Sequence, residues 1–573
     1  MFKLQKVVKP ARNKITDITI LIISVFIVIL LNILAQYQFK RFDLTSEKRY
    51  SLSDASKNIV ANLEDIVYVR VYLDGELPAD FKRLRDATKE TLDELRAYSN
   101  GNLEYEFINP SESPDAQTRN EVYQSLVDKG LQYTNIEIRE ADKISEQIIF
   151  PGAIISYRDR EIPVQLLKSQ MGAPTPVMVN NSIQQLEYNL VSSISKVTKV
   201  IKPKIAFIQG HGELPKENVA DFYNALKEFY AVEFVTINEQ LKALNGFNAI
   251  IVAKPDSVFS EKDKFIIDQF LMKGGKAIWL IDGTQISMDS LETTPTTIAM
   301  PLKTNLEDML FKYGCRVNND LIMDLQALPI PVVTGYIGNV PQQKLFPWYY
   351  FPLIMTDNIK HPISRNLDAI KTEFVSSVDT VGNKNIKKTV LLTSSKYSRK
   401  LRAPVRVSLN ILRIPPKQEQ YNKSFIPVAV LLEGKFTSVF KNRIPESITQ
   451  NKEIGYREES IPTSMIVIGD GDMIKNKYSA STGKIYPLGY DKYTDRIYAN
   501  KDFLLNCVNY LTDDSGLIEA RNKEFKLRLL NKPKIEKERI FWQIINLGVP
   551  ALLIVLFGLL KTFIRRKKYS KKQ

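Results

Sequence analysis

The sequence predicts an α/β protein held by a membrane-spanning helix at each end. Two long apolar segments, 18–35 and 540–560, lie near the termini, and positive charge gathers just outside both. Between them, apolar runs of strand length alternate with amphipathic patterns of helical length. That alternation builds mostly parallel sheets covered by helices on both faces, a doubly wound arrangement.

Segment 18–35 (ITILIISVFIVILLNILA) is interrupted only by Thr19, Ser24 and Asn32. It is long enough to cross a bilayer core of ~30 Å at ~1.5 Å per residue. Its apolar part exceeds that of a cleaved signal peptide and no small-residue cleavage site follows, so it reads as a retained anchor. Segment 540–560 carries Trp542 near its start, Gln543 and Asn546 in its first turns, and no polar side chain from 547 to 560. Tryptophan favours the membrane interface. Pro550 is tolerated where a neighbouring helix satisfies the freed carbonyl.

The formal net charge is +15. Residues 1–36 hold Lys3, Lys6, Lys9, Arg12 and Lys14 against Asp17, a net of +4, while residues 561–573 carry +7. The long middle keeps only +4, which argues against a nucleic-acid-binding face. By the positive-inside rule both termini are cytoplasmic and the central region lies across the inner membrane, in the periplasm of a Gram-negative cell. Two cysteines (Cys315, Cys507) and two histidines (His211, His361) are too few for a disulfide framework or a Cys/His zinc site. No metal and no cofactor is expected.

After the first anchor, Ser51 or Ser53 is placed to cap a helix over 55–63. Residues 67–73 read as a strand, and Phe81, Leu84, Leu92, Leu95 and Tyr98 share one face of the next helix. A strand at 103–108, a helix near 117–129 and strands at 135–139, 147–157 and 161–167 follow, the last two forming a hairpin across Arg158-Asp159-Arg160. This order is like a thioredoxin fold, but no C-x-x-C accompanies it, so redox chemistry is excluded. Ala173-Pro174-Thr175-Pro176 reads as a linker into a helix over 182–198.

A second α/β unit opens with KPKIAFIQGHGE (202–213), whose run 205–208 is a buried strand. Helices at 218–229 and 261–272 and strands at 232–237, 248–253 and 276–281 continue it. Residues 290–460 are less regular, with a helix near 305–313 and strands at 389–393, 405–412 and 427–432. The α/β signature returns in a strand at 464–468 and a helix at 501–511, where Cys507 reads as a buried thiol. The chain thus divides into a basic N-terminus (1–14), a first membrane helix (15–36), a thioredoxin-like domain (37–175) and a linker helix (176–200). A larger α/β domain (201–515) with an irregular middle (290–460), a charged connector (516–539), a second membrane helix (540–560) and a basic tail (561–573) complete it.

Chemistry is sought where strands give way to loops, because α/β sheets hold ligands at strand carboxyl ends. Four such ends are candidates for a ligand or partner: Gln209-Gly210-His211-Gly212-Glu213, Lys254-Pro255-Asp256, Asp282-Gly283, and Gly469-Asp470-Gly471-Asp472, with Asp256, Asp470 and Asp472 their acids. Glycine lets backbone approach a ligand, and the acids offer themselves to a cation or a sugar hydroxyl. The plainer reading is that tight turns need glycine and that Asp caps the following helix. His211 is a candidate general base, but no Ser or Cys pairs with it in sequence, and neither a G-x-S-x-G elbow nor a G-x-x-x-x-G-K-[ST] loop is present. Catalysis is therefore not expected, and ATP hydrolysis belongs to another chain. Phe346, Trp348, Tyr349, Tyr350 and Phe351, flanked by prolines, read equally as core or as an interface.

Long stretches resemble the GldG proteins of Bacteroidota, gliding-motility-associated components of an ABC transporter. They include RFDLTSEKRYSLS, KPKIAFIQGHGELP, FSEKDKFIIDQFLMKGGKAIWLIDG, PIPVVTGYIGNVPQQKLFPWYYFPL and NKDFLLNCVNYLTDDSGLI. The resemblance implies a non-enzymatic inner-membrane subunit acting with a separate permease and a separate ATPase. It further implies a central domain similar to the glutamine-amidotransferase-like fold without its catalytic cysteine. Periplasmic partner proteins, lipid contact through both helices and self-association fit this picture. A solute-binding subunit, and more remotely a hydrolase or amidotransferase using His211 and Glu213, are the competing readings.

Overall fold

Strand periodicity explains the central sheet. The computed structural model describes all residues except 1–13, 38–50, 141–142, 169–172, 200, 357–358, 383–384, 452, 514–515, 518–519, 521–531 and 570–573. Most of the expected basic N-terminus, the segment RFDLTSEKRY and most of the connector 516–539 therefore lie outside the described residues. Residues 1–523 form one unit and 524–573 a second.

In the first unit, Ser53 caps the helix Asp54–Ala61, its Oγ accepting from Ser56 N at 3.2 Å. Four strands follow the order β2-β1-β5-β6: β1 is Val67–Val71, β2 Leu103–Phe107, β5 Gly152–Tyr157 and β6 Arg160–Gln165. β1 and β2 run parallel, while β5 is antiparallel to both β1 and β6. The helix Ala79–Tyr98 buries Phe81, Leu84, Leu92 and Leu95, the face its spacing sets. One expectation fails. The run 147–157 is two strands, because Pro151 separates β4 (Lys143–Ile149), which among the described residues pairs with β3 (Thr134–Glu140) alone, from β5. Proline cannot donate to a ladder, and the chain changes sheet there. The proline-rich 173–176 is likewise no linker: the helix Thr175–Thr198 begins there with Pro174 at its N-cap, where a missing N–H costs nothing.

The central sheet has seven strands. Its parallel part comprises β7 (Lys204–Gln209), β8 (Ala231–Thr236), β9 (Ala249–Ala253), β10 (Lys276–Leu280) and the strand Thr463–Ile468. They lie side by side as 463–468, β10, β9, β7, β8. Pro427–Gly434 and then Ile386–Thr393 extend the sheet antiparallel beyond 463–468. Alternate residues part to opposite faces. Ile205, Phe207, Ile251, Ile278 and Ile466 pack with Phe222 and Phe503 of the helices Ala220–Lys227 and Asn500–Thr512. Ala206, Ile208, Ile250, Trp279 and Val467 pack with Ile267 and Leu271 of the helix Glu261–Met272. Each such Val, Ile, Leu or Phe side chain contributes ~1.5–3 kcal/mol through burial.

The middle region is more regular than its prolines suggest. Ala327–Ile337 and Val340–Ile354 form a long antiparallel hairpin. Its base carries Trp348, Tyr349, Tyr350 and Phe351, all buried in one aromatic cluster with Phe374 and Tyr421. These four are core, and only Phe346 of the five candidate interface aromatics is half-buried. Its outer half is exposed, Tyr336 at 70%, Ile337 at 69% and Val340 at 64%, and no charged residue occurs from 327 to 343. The prolines sit on a two-stranded ribbon, where a missing ladder donor is tolerated.

A helix Lys14–Tyr37 contains the apolar stretch Ile18–Leu30, in which Ser24 Oγ donates to Ile20 O at 2.8 Å. The second unit is the helix Lys532–Tyr569, with Pro550 inside and the stretch Lys537–Lys567 apolar and long enough to cross a membrane. Both are compatible with membrane anchoring.

Candidate functional site

The parallel strands run in the chain order second, first, third, fourth, fifth, so the topological switch falls between β7 and β9. The GHGE turn leaves β7 and the Lys254–Pro255–Asp256 turn leaves β9 on either side of that crevice. The two turns close on each other. His211 O accepts from Asp256 N at 3.1 Å and Ser257 N at 3.0 Å, and Leu214 N donates to Ala253 O at 3.0 Å. Gly212 is required here: its φ is +74°, and a Cβ would stand 1.6 Å from Asp256 Oδ1. The glycine admits the protein's own neighbouring turn rather than a ligand. Gln209 Nε2 donates back to Ile208 O and Leu214 O, at 3.1 and 3.3 Å.

His211 is 5% exposed and both ring nitrogens are engaged. Nδ1 meets Glu213 Oε1 at 3.3 Å and Nε2 meets Asp263 Oδ2 at 3.0 Å. The ring stacks on Phe259 with centroids 3.7 Å apart. Glu213 also accepts from His211 N at 2.7 Å, and Asp263 accepts from Glu239 N at 2.8 Å. Burial pulls the imidazolium toward losing its proton, but the two carboxylates outweigh it and hold the pKa above the ordinary histidine value. The ring is clamped between two acids that favour its protonated form, and both nitrogens are engaged within the protein.

The remaining strand ends form a second cluster around Lys254, a non-glycine residue at φ 56°. Its ammonium touches Asp472 and lies 3.4 Å from Asp282 Oδ2. Gly471 N donates to Asp282 Oδ1 at 2.6 Å, while Asp470 accepts from Asp472 N at 2.8 Å and Glu373 N at 3.0 Å. Burial, with added repulsion from Asp472, lifts Asp282 to about 6 against the attraction of Lys254. Burial followed by its two acidic neighbours raises Asp470 well above the carboxylate range. Burial lowers the Lys254 pKa, yet Asp282 and Asp472 overcome this and the net shift is upward. The ammonium of Lys254 occupies the place a bound cation would take among these acids. Gly283 again admits backbone: a Cβ there would stand 2.0 Å from Asn318 O.

Thus Gln209 through Glu213 and Asp256 meet at one crevice, and Asp282, Gly283, Asp470 and Asp472 gather at the other. Lys254 and Asp263 connect the parts of each; sequence reasoning placed Lys254 at a strand end without giving it a role, and missed Asp263. Asp263 had one local signal, the Ser260-x-x-Asp263 capping pattern, in which Asp263 N donates to Ser260 Oγ at 3.1 Å. Both cysteines are buried on opposite faces of the sheet and unbonded, and burial pushes the Cys315 thiol up to about 12.

Comparison with known proteins adds the following. The family described as "ABC-type uncharacterized transport system" matches residues 202–507, and a domain family of unknown function (DUF7088) matches 46–156. An uncharacterized protein of Borreliella burgdorferi is 23% identical over 572 residues, spanning 97% of this chain and 99% of its own. Among solved structures, the mmIFT52 N-terminal domain is similar over 54% of this chain and 98% of its own, at 14% identity and TM-score 0.30. An exo-beta-1,4-mannosidase from Opitutaceae bacterium strain TAV5 is similar over 75% of this chain and 50% of its own, at 9% identity and TM-score 0.23.

Proposed function

The chain belongs to the family of ABC-type uncharacterized transport systems, and from that premise we propose that it is a non-catalytic, membrane-anchored auxiliary subunit of an ABC transporter. The observation that carries the non-catalytic reading is the state of the switch crevice. Folds of this strand order use that crevice for ligands, whereas here it is filled by its own turns and His211 is committed to Glu213 and Asp263. The family and the two apolar helices support the adaptor role. In our reading both helices span the inner membrane, both termini are cytoplasmic, and the domains between them are periplasmic. Movements of a separate permease, driven by a separate ATPase, would reach them through the helices.

Finer assignments belong to the same proposal. The order β2-β1-β5-β6 with antiparallel β5 supports a thioredoxin-like first domain, and the switch between β7 and β9 supports an amidotransferase-like second one. The resemblance to the GldG proteins supports a transporter associated with gliding motility in Bacteroidota. Mild extraction of the full chain from its native membrane tests the core of this reading. Co-purification with an ATPase and a permease is expected; a chain that elutes alone under those conditions overturns it. Loss of gliding on deletion, with restoration by the H211Q variant, tests the motility assignment and the dispensability of His211 for chemistry.

A further inference from the structure

A groove of about 930 Å³ opens beside the strand ends, and its charges are arranged differently from theirs. It is bounded by the helix Glu307–Tyr313, the strands Cys315–Val317 and Ser398–Arg402, and the segment 439–443. Its four carboxylates are already engaged. Asp320 accepts from Ser377 N and Oγ at 2.8 and 2.7 Å, and Glu307 accepts from Thr304 N at 3.1 Å. Asp308 pairs with the buried Lys264 at 3.0 Å and with Arg443 at 3.1 Å. Asp379 is shared between Arg316 at 3.4 Å and Lys400 at 3.5 Å.

The cations outnumber these acids. Lys441 is occupied by Glu458 and Glu459 at 3.1 and 3.7 Å, but Lys312 and Arg402 make no ion pair among the described residues. Arg316 and Lys400 together face a single carboxylate. Phe311, 52% exposed, supplies an apolar wall in the same groove. Free guanidinium and ammonium groups around a concave surface are the chemistry that recognises phosphate: arginine binds it as a planar fork, lysine as a point charge. An aromatic face beside them suits an apolar or planar group attached to that phosphate.

We propose that this groove binds a ligand bearing two or more phosphate charges, with Arg402 and Lys312 taking the anionic groups and Phe311 lying against the remainder. The ligand is a soluble phosphate ester or an anionic lipid headgroup, and one experiment separates the two. The full chain is reconstituted in nanodiscs of neutral phosphatidylcholine and titrated calorimetrically with inorganic tripolyphosphate. Saturable binding that weakens as salt rises is expected, with at least a tenfold loss in the K312E/R402E double variant and none in K89E, a reversal of an exposed lysine in the first domain. The thermal midpoint of the double variant without ligand should match the wild type, since neither side chain holds an internal ion pair. Repeating the titration in nanodiscs containing cardiolipin, whose headgroup carries two phosphates, identifies the source. Suppressed tripolyphosphate binding assigns the groove to a headgroup, and unchanged binding assigns it to a soluble ester. No saturable binding to the wild type, or equal binding by K312E/R402E, overturns the proposal. Co-purification with an ATPase and a permease is independent of this result, so either reading fails alone.

Discussion

The strand-end clusters and the basic groove share a boundary, Asn318, whose carbonyl packs on Gly283 and whose side chain helps line the groove. They use charge in opposite ways. At the strand ends the cationic groups are matched: His211 lies against two acids and Lys254 against Asp282 and Asp472. In the groove the acids are engaged by hydrogen bonds or ion pairs, while Lys312 and Arg402 make no ion pair among the described residues. Matched buried charges fix how loops pack, while unmatched exposed charges remain available to a ligand. The difference places structure in the glycine- and acid-rich GHGE and GDGD turns and binding in a region that no motif marks.

The comparison breaks most directly at the buried pairs. Lys254→Ala removes the cation that faces the buried Asp282 and Asp472 and is expected to cost ~3–5 kcal/mol. Chemical denaturation at pH 7 reads the loss, and a midpoint within error of wild type would mean that solvent already screens the cluster. His211→Ala strands Glu213 and Asp263 and should cost ~3–5 kcal/mol for the same reason. Gly212→Ala combines a strained φ with a Cβ 1.6 Å from Asp256, so a loss of at least ~2 kcal/mol is expected from the shift of the 254–257 turn.

A smaller effect concerns pH. Because the folded-state pKa of His211 lies above its ordinary value, its contribution is complete below pH ~6.5 and fades as pH rises through the folded value. The stability gap between wild type and His211→Gln should therefore narrow from pH 6 toward pH 9; a gap that widens over that range contradicts the clamped imidazolium. The smallest effect is expected at the hairpin tip. Ile337→Ser removes a side chain that is 69% exposed and should shift stability by less than ~0.5 kcal/mol.

Much of this was legible from residues alone. The run 205–208 and its counterparts 249–253 and 277–281 announce themselves by unbroken apolar character, and strand length separates them from helices. Phe81, Leu84, Leu92 and Leu95 give their helix and its inner face together. The four strand ends were legible as turns because Gly and Asp cluster after apolar runs. The proline-rich segments were not: Pro151 divides a strand, Pro174 starts a helix, and Pro341 and Pro347 sit in a ribbon. A proline states which hydrogen bond is missing but not where the chain goes next.

By itself, the sequence determined the α/β alternation, the apolar helices at both ends and the positions of the strand-end turns, because these depend on neighbours within a few residues. Only the tertiary structure decided what those turns do. His211 is silenced by Asp263, 52 positions away, and Lys254 is drawn to Asp472, 218 positions away. The groove collects Lys312, Arg316, Lys400 and Arg402 from separate strands and a helix. Whether a charge is matched depends on what packing brings within a few ångströms of it, and no local pattern records that distance.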